Sequence, residues 1–327
     1  MPVVSVIMPV YNAERLLECS VGSVIAQTFA DWELVCFNDA STDGSLAVLE
    51  RYAASDPRIR VIDSPVNVKQ GAGRNRAIPE ARGEYVMFLD ADDSLRPEAL
   101  SLCVETALSR GADMVMFDYE TIPGSTVSPL GHDASGLTDD ELRRRIIMCP
   151  SPVWSAMYRR SLITENGLYF PERVFYEDNA VALAIQLSAR NPVKIDAPLY
   201  GYHIYETSVS HRMNDYRFFH RLSSAVTLKG HLRRLGLYDR WREEIDYVLI
   251  NQYYTHTITG CVYRFDHVPL LRQRYVRRTV ERVVPRFRHN RFYRELPAAK
   301  RLRIELHARF PRVLNMLWHV KRVLKKF

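Results

Sequence analysis

The 327 residues are 47% hydrophobic and 25% charged, ordinary globular values that exclude a disordered or fibrous chain and allow about two domains at roughly 150 residues each. The net charge of +7 hides an asymmetry, with a net −10 over residues 1–214 and a net +17 over residues 215–327. The five cysteines, at 19, 36, 103, 149 and 261, form no C-x-x-C pair, which argues against a disulfide framework or structural zinc and for a reducing cytoplasm.

The first 120 residues alternate apolar runs with amphipathic stretches. Val3–Met8 reads as a strand. Ala13–Gln27 follows with helical spacing at Leu16, Leu17, Val21, Val24 and Ile25, and Asn12 is placed to cap it. Trp32–Phe37 is a second buried strand. Ser41 or Asp43 can cap a helix through about Ala54, and Ile59–Ile62 is an edge-like third strand. Lys69–Ala81 reads as a helix, Tyr85–Leu89 as a fourth strand, Pro97 as the first turn of another helix and Met114–Phe117 as a fifth strand. Residues 119–136, rich in Gly, Pro, Ser and Thr, read as a loop. Residues 138–214 mix helices and short strands, and from Tyr216 onward the pattern is helical with Arg on the polar faces. Continuous apolar strands separated by helices predict an α/β fold with a mostly parallel sheet covered on both faces. Two regions follow, 1–214 and a basic helical 215–327. The start Met1-Pro2-Val3-Val4 lacks the basic n-region of a signal peptide, and no apolar run nears the roughly 18 residues of a membrane-spanning helix.

Ligands of such sheets sit at the carboxyl ends of the strands. Here those ends are polar: Pro9-Val10-Tyr11-Asn12, Asn38-Asp39-Ala40-Ser41-Thr42-Asp43-Gly44-Ser45, and Asp90-Ala91-Asp92-Asp93. Three carboxylates within four residues repel one another unless a cation or a helix terminus compensates, so this run is either a Mg²⁺ or Mn²⁺ site or an ordinary acidic helix start. Asp39 is a turn acid or a partner for a ribose or base. The segment Asn67-Val68-Lys69-Gln70-Gly71-Ala72-Gly73-Arg74-Asn75-Arg76 can cradle a diphosphate through backbone N–H groups and guanidinium, but lacks the Lys-Ser/Thr ending of a P-loop. Glu177-Asp178 is a helix-opening pair or a general base with its support.

Taken in order, Pro-Val-Tyr-Asn at 9–12, Asn-Asp-Ala-Ser-Thr-Asp-Gly-Ser at 38–45, Ala-Gly-Arg-Asn at 72–75, Asp-Ala-Asp-Asp at 90–93 and Glu-Asp at 177–178 resemble an inverting family 2 glycosyltransferase of the GT-A (Rossmann-like) fold. Trp154-Ser155-Ala156-Met157-Tyr158-Arg159-Arg160 resembles a segment often seen before the Glu-Asp pair. The resemblance implies a nucleotide-sugar donor, UDP-linked, and a glycan or lipid-linked acceptor in bacterial capsule, lipopolysaccharide or exopolysaccharide assembly. It implies that Pro9, Tyr11, Asn12 and Asp39 hold the nucleoside and that Asn67 and Arg74 touch nucleotide or diphosphate. Asp90 and Ala91 would face ribose or donor sugar. Asp92, with Asp90 and with Asp93 as substitute, would ligate Mn²⁺ or Mg²⁺. Asp178 would be the catalytic base, and Glu177 would position sugar or acceptor. The chain departs from the resemblance at Tyr200–His211, where His203 and Tyr205 replace the common Arg and His. His203 and His211 are therefore candidates for a diphosphate or metal contact, with a plain surface or core histidine as the alternative.

Two other functions compete. A sugar nucleotidyltransferase would place a Gly-rich, Arg-Lys-containing loop after the first strand, where this chain has Tyr11-Asn12-Ala13-Glu14. A nucleic-acid-binding protein would use the +17 region, but its aromatics Phe287, Tyr293, Phe310 and Trp318 fall at core spacings, so no nucleic acid is expected. At the end of the chain Phe310, Val313, Leu314, Leu317 and Leu324 share a helical face near Arg312, Lys321, Arg322, Lys325 and Lys326. That helix either lies on an anionic membrane, peripherally at its inner face, or packs within a bundle or a homodimer.

Overall fold

A computed structural model describes residues 1–131, 134, 137, 139–205 and 213–324. The chain divides into two compact units, Met1–Ile204 and Tyr205–Phe327.

The first unit opens with β1 (Val4–Val10), α1 (Leu17–Ile25), β2 (Trp32–Asn38), α2 (Ser45–Ser55), β3 (Ile59–Asp63), α3 (Lys69–Ala77) and β4 (Tyr85–Phe88). It continues with β5 (Ser94–Leu95), α4 (Ala99–Arg110), β6 (Met114–Ile122), β7 (Thr126–Val127), α5 (Asp139–Met148) and β8 (Ala156–Arg159). It closes with α6 (Ser161–Thr164), α7 (Ala182–Ser188) and β9 (Pro192–His203). The strands form one sheet in the order β3-β2-β1-β4-β8-β6-β9-β5, with β7 paired to β6. The half β3-β2-β1-β4 is parallel, as its continuous burial requires: every residue of β2 and β4 is buried, β1 opens only at Pro9, and edge strand β3 is partly open. β8 then runs antiparallel between β4 and β6, while β6 and β9 pair in parallel.

Register places the site. Val10 pairs with Asn38 and Asn38 with Asp63, so β1, β2 and β3 end on one line. β4 ends beside Ile7, and Leu89 N–H donates to Ile7 O, so Asp90 emerges on the same rim. α3 crosses beneath this rim against β1 and β2. Gly73 permits the approach, since a Cβ there would lie 2.8 Å from the Phe37 ring.

Four local expectations need correction. Asn12 does not cap a helix. α1 begins at Leu17 without a side-chain cap, and Asn12 sits at φ 51° with its Oδ1 accepting from Thr42 N and Oγ1 at 2.8 and 3.3 Å. It thus ties the turn after β1 to the turn after β2. α3 stops at Ala77 rather than Ala81, close to Pro79, which has no N–H to extend the ladder. The stretch 119–136 is not all loop: β6 runs to Ile122, with Tyr119 and Thr121 in register with Tyr200 and Tyr202, and β7 returns on it. Pro123 and Gly124 mark the reversal between them.

The fourth correction concerns the second unit. This contains α8 (Arg221–Arg234), α9 (Arg242–Val248), α10 (His256–Tyr263), α11 (Leu270–Val283), α12 (Arg291–Glu295), α13 (Ala298–Arg309) and α14 (Pro311–Leu324), with a π-helical stretch, Leu249–Thr255, leading into α10. Phe218, Phe219 and Phe265 form its aromatic core, and the buried Lys229 donates to Asp246, which also accepts from Tyr238 Oη. Of the alternatives left open for α14, packing within the unit by the Phe310–Val313–Leu317 stripe is the one that fails. Pro311 and Asn315 are buried and Leu314 and Trp318 half-buried, whereas Phe310, Val313 and Leu317 are exposed. The cause is polar: Asn315 Nδ2 donates to Val262 O and Phe265 O at 2.8 and 2.9 Å, satisfying carbonyls near the end of α10. Among the described residues no helix is long and apolar enough to cross a membrane.

Candidate active site

The carboxyl rim of the parallel half gathers side chains from five segments. Asp39, just after β2, is 3% exposed. Its Oδ1 accepts from Val68 N at 2.6 Å and its Oδ2 from Lys69 N at 2.8 Å, while Asn67 Nδ2 donates to Asp39 O at 3.0 Å. Asp39 thereby holds the loop into α3, including the strained Lys69 at φ 73°. Asn67 Oδ1 is buried with no protein donor. A buried acceptor left open is costly and therefore marks a place where a ligand N–H fits. Nearby, Tyr11 is half-exposed, with Lys69 Nζ 5.8 Å from its ring centre. Pro9, near the end of β1, is partly exposed.

The centre of the rim is Arg74, on α3. Its side chain is 3% exposed and lies 5.4 Å from the Phe170 ring centre. Nη1 donates to Glu177 Oε1 at 2.5 Å and Nη2 to Asp90 Oδ1 at 2.6 Å. Asp178 adds to the negative potential at the guanidinium. One buried cation thus faces three acids. Their surplus charge is visible in the acids themselves. Burial pushes Glu177 up to about 7 against the pull of Arg74, and Asp178 repels it further. Asp178 is also raised, by desolvation, with Arg74 opposing. The Gln70 side chain lies beside the buried Glu177 carboxyl, and the partly exposed Asp178 accepts from Asn179 Nδ2 at 3.2 Å. The loop that delivers the pair is strained, with Arg173 at φ 58° and Tyr176 at φ 62°. Gly71 admits it: a Cβ there would lie 2.7 Å from Pro171 O and 3.0 Å from Glu177 Cγ.

The three aspartates after β4 have different surroundings. Asp90 is about one-third exposed toward the rim. Asp92 is partly exposed, and burial together with Asp90 pushes it up to about 6. Asp93 is buried: its Oδ2 accepts from Tyr200 Oη at 2.7 Å and its Oδ1 from His203 N at 2.8 Å. Burial and the two neighbouring acids push Asp93 up to about 8. His203 Nε2 lies 3.0 Å from Ser94 Oγ.

A profile of glycosyl transferase family 2 matches residues 5–166. EpsH of Bacillus subtilis (strain 168), named as a glycosyltransferase, is 30% identical over 258 residues, covering 76% of this chain and 74% of EpsH. The chain belongs to glycosyltransferase family 2. Among solved structures, TarS 1–349 of S. aureus in complex with UDP superposes with a TM-score of 0.71 at 20% identity, covering 96% of this chain and 89% of that one. The mannosyltransferase PcManGT of Pyrobaculum calidifontis, with GDP-Man and Mn²⁺, superposes with a TM-score of 0.52 at 16% identity over 97% of this chain and 86% of that one. At these identities both structures establish the shared GT-A fold alone.

In this glycosyltransferase the rim brings together Pro9, Tyr11, Asn12, Asp39, Asn67, Arg74, Asp90, Ala91, Asp92, Glu177 and Asp178. Two placements differ in character from the sequence expectation. Arg74 is enclosed by Asp90 and Glu177 rather than offered outward, and the Asp93 carboxylate is spent on joining its turn to β9. His203 stands next to Ser94, behind the aspartate turn, and His211 lies outside the described residues. Sequence reasoning missed Tyr200, whose hydroxyl accepts from Asp90 N at 3.2 Å while donating to Asp93. It also missed the stack of Trp154 on Tyr200, with ring centres 4.3 Å apart. The only hint was the alternating Tyr200 and Tyr202 on one strand.

The residues fit a hard divalent cation. Asp90 and Asp92 offer oxygen donors, and the surplus negative charge around Arg74 and Asp92 is what such an ion would relieve. Among the described residues no group of three or more His, Cys, Asp or Glu is arranged to hold a metal on its own. Oxygens of a bound diphosphate would have to complete the coordination.

Proposed function

We propose that this glycosyltransferase moves a hexosyl or N-acetylhexosaminyl group from a UDP-linked donor to a hydroxyl of a glycan or lipid-linked acceptor, with inversion. Residues 1–214 serve as its catalytic domain and residues 215–327 as a basic helical region. The observation that carries this reading is the Asp90–Arg74–Glu177 chain of ion pairs, which sets the partly exposed Asp178 on the same rim as Asp90 and Asp92. The UDP and UDP-GlcNAc complexes of TarS, which shares the fold, support a uridine donor.

Pro9, Tyr11, Asn12, Asp39 and Asn67 hold the nucleoside, with the open Asn67 Oδ1 as acceptor for a base or ribose donor. Asp90 and Ala91 face ribose and donor sugar. Asp92 and Asp90 would hold Mn²⁺ or Mg²⁺, with Asp93 supporting the turn. The ion, when bound, neutralises charge on the departing diphosphate. Asp178 takes the proton of the acceptor hydroxyl, worth roughly 10²–10⁴-fold in rate. Its raised pKa makes it a stronger base than an ordinary carboxylate. Glu177, locked to Arg74, orients sugar or acceptor. One displacement with Asp178 on the acceptor side inverts the anomeric centre. Five unpaired cysteines suit the reducing cytoplasm as its location.

Incubating the protein with UDP- and GDP-sugars, with and without Mn²⁺, and measuring released nucleotide tests the donor assignment. Release from none of them would overturn it. NMR of the anomeric proton in the product tests inversion.

A further inference from the structure

α14 is tied down by Asn315, and this leaves its most apolar stripe outward. Val313, Met316, Leu317 and Val320 follow i, i+3, i+4, i+7 spacing and are between 50% and 59% exposed, with Phe310 at 55% preceding them. A solvent-facing stripe of this kind is not explained by the packing of the helix, which uses Pro311, Leu314, Asn315 and Trp318. The stripe is bordered by charge of one sign. Arg312 and Lys321 flank it on opposite sides of the helix, both exposed, while Arg309 precedes it at the end of α13 and Arg322 lies on the Trp318 side. Arg309 Nε lies 3.7 Å from Glu305 Oε2, and the Arg322 guanidinium rests 5.3 Å from the Trp318 ring centre. Residues 306–327 contain no Asp or Glu at all, and Lys325 and Lys326 follow in sequence.

We propose that the outward face of α14 binds an anionic lipid surface. An apolar stripe between cations matches a bilayer interface, where acyl chains take the stripe and phosphates take the charges. Two copies joined through the same stripe would bring Arg312 and Lys321 of each against cations of the other with no acid in the segment to answer them, which disfavours a dimer. The inference rests on the surface of the helical unit and not on the donor, acceptor or metal assigned above. It would keep the enzyme where a lipid-linked acceptor lies.

The test is co-sedimentation of the full chain with vesicles of phosphatidylglycerol or of phosphatidylcholine, at low and high salt. The full chain sediments with the anionic vesicles, and salt releases it. Val313→Ser with Leu317→Ser lowers the apparent affinity by about tenfold or more. Arg312→Gln with Lys321→Gln lowers it by about fivefold per charge. All four positions are exposed, so circular dichroism stays unchanged. Equal sedimentation of the Ser variant and the native chain, or equal binding to both lipids, overturns the proposal. So does a dimer in light scattering that the Ser variant converts to monomer, which would make a second copy the occupant.

Discussion

Arg74 and Glu177, 103 residues apart in the chain, meet in the interior with Nη1 and Oε1 2.5 Å apart, and the second arm of the same guanidinium reaches Asp90 at 2.6 Å. The side chain that the motif places on a phosphate is therefore the strut between the aspartate turn after β4 and the acidic pair before α7. Removing one partner of a buried pair costs about 3–5 kcal/mol, far more than an exposed ion pair contributes, so this strut dominates the local electrostatics.

Arg74→Gln removes the charge that lowers both Glu177 and Asp178. Both carboxyls then rise further, and Glu177 takes up a proton rather than stay a bare buried charge. A base must be deprotonated to act, so the rising limb of kcat/KM against pH moves to higher pH. A carboxyl raised in the folded state stabilises most below its unfolded pKa and loses that contribution as pH rises through the folded value. The variant therefore loses thermal stability as pH increases through neutrality. An unmoved pH profile would show that Arg74 is not coupled to the base.

Asp178→Asn keeps shape and removes the base. Nucleotide affinity by calorimetry stays near native, while transfer falls by about 10²-fold or more. Near-native transfer would reduce Asp178 to an acid at a helical turn.

Asp92→Ala leaves the fold intact, because a partly exposed acid after a strand adds little to the core. It abolishes the increase in UDP affinity that Mn²⁺ produces in the native protein. Calorimetry with UDP, with and without Mn²⁺, reads this directly, and a retained increase would remove Asp92 from the metal site.

Tyr200→Phe deletes the hydroxyl shared by Asp93 Oδ2 and Asp90 N. Asp93 is buried and loses one of its two donors, so thermal denaturation shows a loss of about 1–3 kcal/mol. Because the same hydroxyl fixes the turn bearing Asp90 and Asp92, metal-dependent UDP binding weakens as well. Unchanged stability would mean the turn holds itself.

Much of the first unit is legible in the sequence because its signals are local. Buried parallel strands must be continuously apolar, and their ends must be polar where the sheet meets water, so β1, β2 and β4 and the acids beyond them stand out without any contact information. The later strands are less legible. Tyr119–Ile122 mixes polar and aromatic residues, and only pairing with β9 and β7 makes it a strand.

The sequence by itself determined the α/β plan, the order of the motifs and the set of acids and amides at the rim, since periodicity and residue chemistry act over a few positions. Tertiary structure alone decided what each acid does. Asp93 and Asp92 are neighbours in sequence, yet one is enclosed by Tyr200 and His203 and the other keeps partial exposure, because a turn points adjacent side chains in different directions. Arg74 became a strut because folding brought Glu177 to it across 103 residues. The apolar face of α14 stayed outward because two carbonyls at and just beyond the end of α10 captured Asn315. Burial, charge pairing and hydrogen-bond satisfaction are properties of neighbours in space, and no local pattern encodes them.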